Sequence, residues 1–215
     1  MAARRVFISG GTGYLGRPLS AELVARGHQV RVLARPGSES KVAPGAEAVV
    51  GNALDAASFA ARVAPADTFV QLTGVAHPAP WKEPAFRAID LASLRASADA
   101  ARAAGIVHFV YVSVAHPAPA MKAYIRVRME CEGILRDAGL TATILRPWYV
   151  LGPGHRWPAI LKPGYALAER FAATRESALR LGLVTHQQMV AALVWAVENP
   201  GARIMDVAAI RATRV

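Results

Sequence analysis

Gly10-Gly11-Thr12-Gly13-Tyr14-Leu15-Gly16 is the stretch on which the fold turns. It follows a short apolar run, Arg5-Val6-Phe7-Ile8-Ser9, rich in β-formers. It opens a segment, residues 14–26, in which Leu15, Leu19 and Leu23 recur at the four-residue spacing of a helical stripe, closed by Gly27. Strand, glycine loop and helix in that order make a dinucleotide-binding turn. The chain must turn sharply there and bring its backbone against a pyrophosphate without a Cβ in the way. The N–H groups and dipole at the helix start then stabilise the phosphate charge. The spacing, Gly10-x-x-Gly13-x-x-Gly16, has one more residue between its first two glycines than the ordinary Rossmann fingerprint.

Outward from the loop, apolar strand-like runs alternate with helical segments. Residues 29–34, 46–50, 68–72, 107–112, 141–145 and 204–207 read as strands. Residues 55–63, 83–104, 121–138 and 186–198 read as helices, the last with Thr185 as its N-cap. The run at 107–112 is almost continuously apolar, as in a strand buried on both faces. The expected fold is α/β: a doubly wound, Rossmann-type parallel sheet with helices on both faces. Residues 1–215 read as one domain. Residues 152–184, rich in Gly and Pro and poor in periodicity, read as a small substrate-side excursion above the carboxyl edge of the sheet.

Composition narrows the class. The 215 residues are 53% hydrophobic and only 19% charged, which excludes disorder. The single cysteine, Cys131, excludes an internal disulfide and reads as a small buried residue. No apolar stretch is long enough to span a membrane, and the run after Arg4-Arg5 breaks at Gly10-Gly11 before a signal segment forms. A cytoplasmic protein is expected. Lys and Arg number 25 against 15 acids, a net charge of +10, but they are spread along the chain without a basic run. That is a solvated basic surface, not a nucleic-acid site. An oligomer is compatible with the sequence. The six histidines show no metal-ligand spacing, so no metal is expected.

The second strand bears on the cofactor. Where an NAD site presents an acid to the ribose hydroxyls, the chain has Ala34, followed by Arg35. A guanidinium there pairs with a 2′-phosphate and stacks on adenine, which favours NADP, with NAD second. The other reading of Arg35, and of Arg17 beside the loop, is a surface arginine.

The loop 10–16, Gly51-Asn52-Ala53-Leu54-Asp55, the Phe109-Val110-Tyr111-Val112-Ser113 strand and Leu145-Arg146-Pro147 together resemble the short-chain dehydrogenase/reductase superfamily. The order and spacing are similar to its extended and atypical branches, above all the NmrA-like NAD(P)H-binding group. The resemblance implies that Gly10, Thr12, Gly13, Tyr14, Leu15 and Gly16 hold the pyrophosphate. It implies that Asn52, Ala53 and Leu54 border the adenine, that Leu72, Thr73 and Gly74 line the cofactor, and that Pro147 abuts the nicotinamide. In active members a serine after the fifth strand and a Tyr-x-x-x-Lys pair do the chemistry. Ser113 matches the serine, and Tyr124 with Arg128 matches the pair, except that Arg128 stands for the lysine.

Residues i and i+4 share a helix face, so a cation beside the phenol lowers its pKa. The phenol then protonates a substrate carbonyl as hydride arrives, while the serine holds the oxygen. Arg128 supplies the charge but cannot release a proton. Tyr124 also reads as an aromatic at a helix start without catalytic duty. His77 and His116 follow strands and read as cleft histidines or plain loop residues. Trp81, Trp148, Tyr149 and Trp157 read as an apolar substrate wall or as packing. Two functions follow: an NADP(H)-dependent oxidoreductase of a small apolar carbonyl or quinone-like substrate, or a non-catalytic NAD(P)H-binding redox sensor or accessory subunit. A nucleotide-sugar epimerase or dehydratase ranks third.

Overall fold

The computed structural model describes residues 2–152 and 181–214. Among them the chain runs β1 (Arg5–Ser9), α1 (Gly16–Ala25), β2 (Gln29–Ala34), β3 (Glu47–Val50), β4 (Thr68–Gln71) and α2 (Glu83–Ala85). It continues through α3 (Ala92–Ala103), β5 (His108–Val112), α4 (Lys122–Asp137), β6 (Ala142–Leu145) and β7 (Tyr149–Leu151). It then resumes with β8 (Leu183–Thr185), α5 (His186–Glu198), β9 (Arg203–Met205) and α6 (Val207–Ala212). Seven strands pair in the order β3-β2-β1-β4-β5-β6-β9, all parallel. The Rossmann-type sheet expected from the sequence is present. After β3 the chain returns to pair β4 with β1, so the order reverses between β1 and β4, the point where such sheets bind ligands.

Strand alternation divides the core. Val6, Ile8, Val32 and Val110 meet Leu19 and Leu23 of α1 and Met189, Leu193 and Val197 of α5. On the other face Phe7, Phe69 and Phe109 meet Phe86, Leu94 and Leu135. The Phe69 and Phe109 rings stack at 5.2 Å between centroids. Truncating such a fully buried ring costs about 3–5 kcal/mol.

Two expectations change. Residues 55–63 form not a helix but two 3₁₀ turns, Ala56–Ser58 and Ala60–Arg62. Local side-chain bonds compete with the helix ladder there: Asp55 Oδ1 accepts from Ala57 N at 3.1 Å, and Ser58 Oγ donates to the Asp55 carbonyl at 2.7 Å while accepting from Asn52 N. The helix expected over 83–104 contains a π-helical stretch, Phe86–Leu91, which lets Phe86, Asp90 and Leu91 all turn inward. The segment expected as an excursion is flanked by β7 and β8, which pair in parallel as a small second sheet. Most of that segment, with Trp157, lies outside the described residues. The Thr185 cap is present as a reciprocal capping box with Gln188. Among the described residues no helix is long and apolar enough to cross a membrane.

Candidate active site

The glycine loop sits at the carboxyl end of β1, against the end of β4. Gly10 has φ +79°, and a Cβ there would lie 2.7 Å from Thr73 N and 2.8 Å from the Leu72 carbonyl carbon. A Cβ on Gly16 would run into the Gly10 carbonyl and sit 2.5 Å from the Gly11 Cα. Gly13 differs: it is exposed, and its Cβ would meet only the Gly10 oxygen, at 3.2 Å. Gly10 and Gly16 therefore serve the packing of the turn, while Gly13 leaves its outer surface open. No side chain caps the start of α1, and no described group accepts the Leu15 N–H. Such an uncapped helix start suits an anion. Thr73 is fixed by a 2.6 Å hydrogen bond between its hydroxyl and that of Ser9, so Leu72 and Thr73 border the loop, whereas Gly74 lies against Arg128 and Asp90.

Arg35 follows β2 and is exposed, with no ion pair among the described residues. The 51–55 turn lies beside it, since Gly51 N donates to the Ala34 carbonyl. Asn52 Oδ1 accepts from Leu54 N at 3.1 Å, and Leu54 is 43% exposed. Ala53 is half-buried within that turn.

Ser113 follows β5 and is buried. Its hydroxyl donates to Glu132 Oε1 at 2.6 Å. Arg146 Nε donates to the same oxygen at 3.0 Å while its Nη2 grips Oε2, and His116 Nε2 stands 3.8 Å from Oε1. Burial, then Arg146, hold His116 below its ordinary pKa, with Glu132 opposing. Backbone bonds tie this hub to the next loop: Ser113 N to the Leu145 carbonyl and Ala115 N to that of Pro147, which is buried.

Arg128 is also buried. Its Nη2 meets Asp90 Oδ1 at 2.5 Å, and its Nη1 donates to Tyr111 Oη and the Val112 carbonyl. Its guanidinium lies 4.9 Å from the centre of the Tyr124 ring, whose other neighbour is Phe86 at 4.9 Å. Burial raises the Tyr124 pKa, with Arg128 pulling it back. Gly74 packs on the pair, since a Cβ there would lie 2.7 Å from Arg128 Nη2. Tyr124, Arg128 and Glu132, at i, i+4 and i+8 of α4, thus share the face turned to β5. The structure brings Arg128 against Tyr124, while Ser113 bonds to Glu132, eight residues beyond Tyr124 on α4.

Both loops around this cluster contain a non-glycine residue at positive φ, His77 at 52° and Met121 at 59°. Trp81 is 80% exposed, whereas Trp148 packs edge-on against Tyr149 at 5.6 Å. Cys131 is buried, and burial pushes its thiol up to about 11. Sequence reasoning missed Asp90, Glu132 and Arg146. Glu132 was findable as the next i+4 step after Arg128. Asp90 was findable too, since it stands four residues from both Phe86 and Leu94 on the inward stripe.

A family profile described as NAD(P)H-binding matches residues 10–177, and the chain belongs to that family. It is 30% identical over 154 residues to a ceramide reductase of Caulobacter vibrioides, covering 69% of this chain and 47% of the relative. It is 31% identical over 178 residues to a 3-diazoavenalumate denitrifying reductase of Streptomyces, covering 70% and 57%. The chain spans about half the length of these curated relatives. Among solved structures it resembles the Bordetella bronchiseptica enzyme WbmH in complex with NAD⁺, with TM-score 0.72 and 20% identity over 95% of this chain and 75% of that one. A Bacillus cereus UDP-N-acetylglucosamine 4-epimerase follows at TM-score 0.68 and 16% identity over 94% and 75%. These neighbours share the parallel, Rossmann-type fold of this chain.

Proposed function

We propose that this protein is an NADPH-dependent reductase of a small apolar carbonyl or quinone-like substrate. The observation that carries the reading is Arg35, exposed and without an acid partner at the end of β2, beside an uncapped helix start. A guanidinium there binds a 2′-phosphate bidentately, where an acid would select NAD. The glycine loop and Leu15 N–H hold the pyrophosphate, Asn52 to Leu54 border the adenine, and Pro147 bounds the nicotinamide end. NADPH, when bound, supplies the hydride. Tyr124, kept protonated by burial, is the proton donor to the substrate oxygen. Ser113, its own proton given to Glu132, offers lone pairs to the hydroxyl that forms. The reductase relatives support this direction of reaction.

A second reading has its own observation. Arg128 is committed to Asp90, Tyr111 and a backbone carbonyl, a structural role that a non-catalytic NAD(P)H sensor would also tolerate. The test is NADPH oxidation at 340 nm against a panel of carbonyls and quinones, beside calorimetric binding of NADPH and NADH. Turnover supports the reductase; tight NADPH binding with no turnover overturns it for the sensor.

A further inference from the structure

Tyr14, two residues before the start of α1, is joined to a part of the chain far away in sequence. His186 Nε2 donates to the Tyr14 backbone carbonyl at 2.9 Å. The imidazole and the Tyr14 ring also meet edge to face at 4.5 Å between centroids. Gly152, just past β7, makes room for both. A Cβ there would collide with the Tyr14 hydroxyl and lie 2.7 Å from His186 Cβ.

We infer that His186 is a positioning residue for the pyrophosphate, acting through the Tyr14–Leu15 peptide. This rests on the reading of residues 10–16 as the pyrophosphate loop. A trans peptide is planar, with its C=O and the following N–H pointing to opposite sides. A donor that holds the Tyr14 carbonyl therefore also aims the Leu15 N–H. That N–H has no acceptor among the described residues and stands at the uncapped start of α1. His186 is itself rigidly placed. It is the first residue of α5, directly behind the Thr185–Gln188 capping box, in a helix that buries Met189, Leu193 and Val197. Preorganising one phosphate donor removes an ordering cost from binding.

The pull on the carbonyl requires a hydrogen-bond donor at that point. Glutamine can present one at similar reach, and leucine keeps the volume without it. Gly152→Ala should disturb the same joint from its other side.

The experiment is calorimetric titration of the full chain with NADPH and with adenosine 2′-monophosphate, which lacks the pyrophosphate. His186→Ala and His186→Leu should bind NADPH roughly three- to tenfold more weakly, the range for one lost hydrogen bond. They should bind adenosine 2′-monophosphate as the wild type does. His186→Gln should restore NADPH affinity, and Gly152→Ala should reproduce the loss. Unchanged NADPH affinity in His186→Leu overturns the inference. So does equal weakening of both ligands, which would make His186 a general structural support. If His186→Ala does not fold, the contrast between Gln and Leu decides. A wild type that binds neither NADPH nor NADH fails the loop reading itself, a result separate from failure of the His186 link.

Discussion

The hydroxyl of Ser113 donates to Glu132 Oε1 at 2.6 Å, and Arg146 grips the same carboxylate with two nitrogens. A serine has one proton to give, so in this arrangement Ser113 can meet any further partner only as an acceptor. The hub joins α4 to the loops after β5 and β6, and its three side chains depend on one another.

Removing Glu132 leaves the Arg146 charge and the Ser113 hydroxyl without their partner. Glu132→Ala should lower the unfolding free energy by about 3–5 kcal/mol, as for a broken buried ion pair. Ser113→Ala should cost about 1.5–3 kcal/mol, the range for a hydrogen bond to a charged group. Urea unfolding measures both; a Glu132→Ala variant as stable as wild type would mean that the hub is not formed.

Arg128 divides its donors among Asp90, Tyr111 and the Val112 carbonyl. A lysine is a point charge and cannot serve all three. Arg128→Lys should therefore destabilise the fold, and Arg128→Met should do so by about 3–5 kcal/mol. Tyr124→Phe leaves the ring packing in place but removes the proposed proton donor. Its kcat should fall by roughly a hundredfold or more with NADPH affinity retained. Wild-type turnover in that variant would clear the phenol of a role as acid.

His108 gives stability a pH dependence. Its Nε2–H donates to Thr143 Oγ1, because the threonine proton goes to the Gly201 carbonyl. Its Nδ1 is buried with no partner among the described residues, and burial lowers its pKa to about 4. A histidine with a depressed folded pKa contributes stability above its unfolded value near 6.5 and loses it as pH falls toward 4. Between pH 7 and pH 5 the loss should be about 2 kcal/mol. Paired urea titrations of wild type and His108→Gln check this, since the variant should lose that part of the slope.

Two glycines of the loop should separate by readout. Gly13→Val should abolish dinucleotide binding at a small cost in melting temperature, because its Cβ would meet only the Gly10 oxygen, at 3.2 Å. Gly16→Ala forces a Cβ onto the Gly10 carbonyl and should lower the melting temperature. If Gly13→Val binds NADPH normally, the phosphate lies elsewhere.

Arg35→Ala should cost about 1.5–3 kcal/mol in NADPH affinity and leave NADH binding unchanged, since only one cofactor has the 2′-phosphate. Calorimetry with both cofactors reads the ratio. An unchanged ratio removes Arg35 from the site.

By itself the sequence determined the Rossmann-type sheet, because apolar runs, four-residue leucine spacing and Gly10 to Gly16 are local signals that act within one element and its turn. It also placed Thr185 as a helix cap, a bond between residues three apart. Only the tertiary structure decided how the candidate site is wired. Asp90 meets Arg128 from 38 positions away, and Glu132 gathers Ser113, His116 and Arg146 from the loops after two strands. His186 meets the Tyr14 carbonyl from 172 positions away. Such pairs depend on which strand ends lie side by side and on where each buried charge finds its counter-charge. Residue spacing along the chain does not encode those distances, whereas the folded sheet fixes them by its strand order.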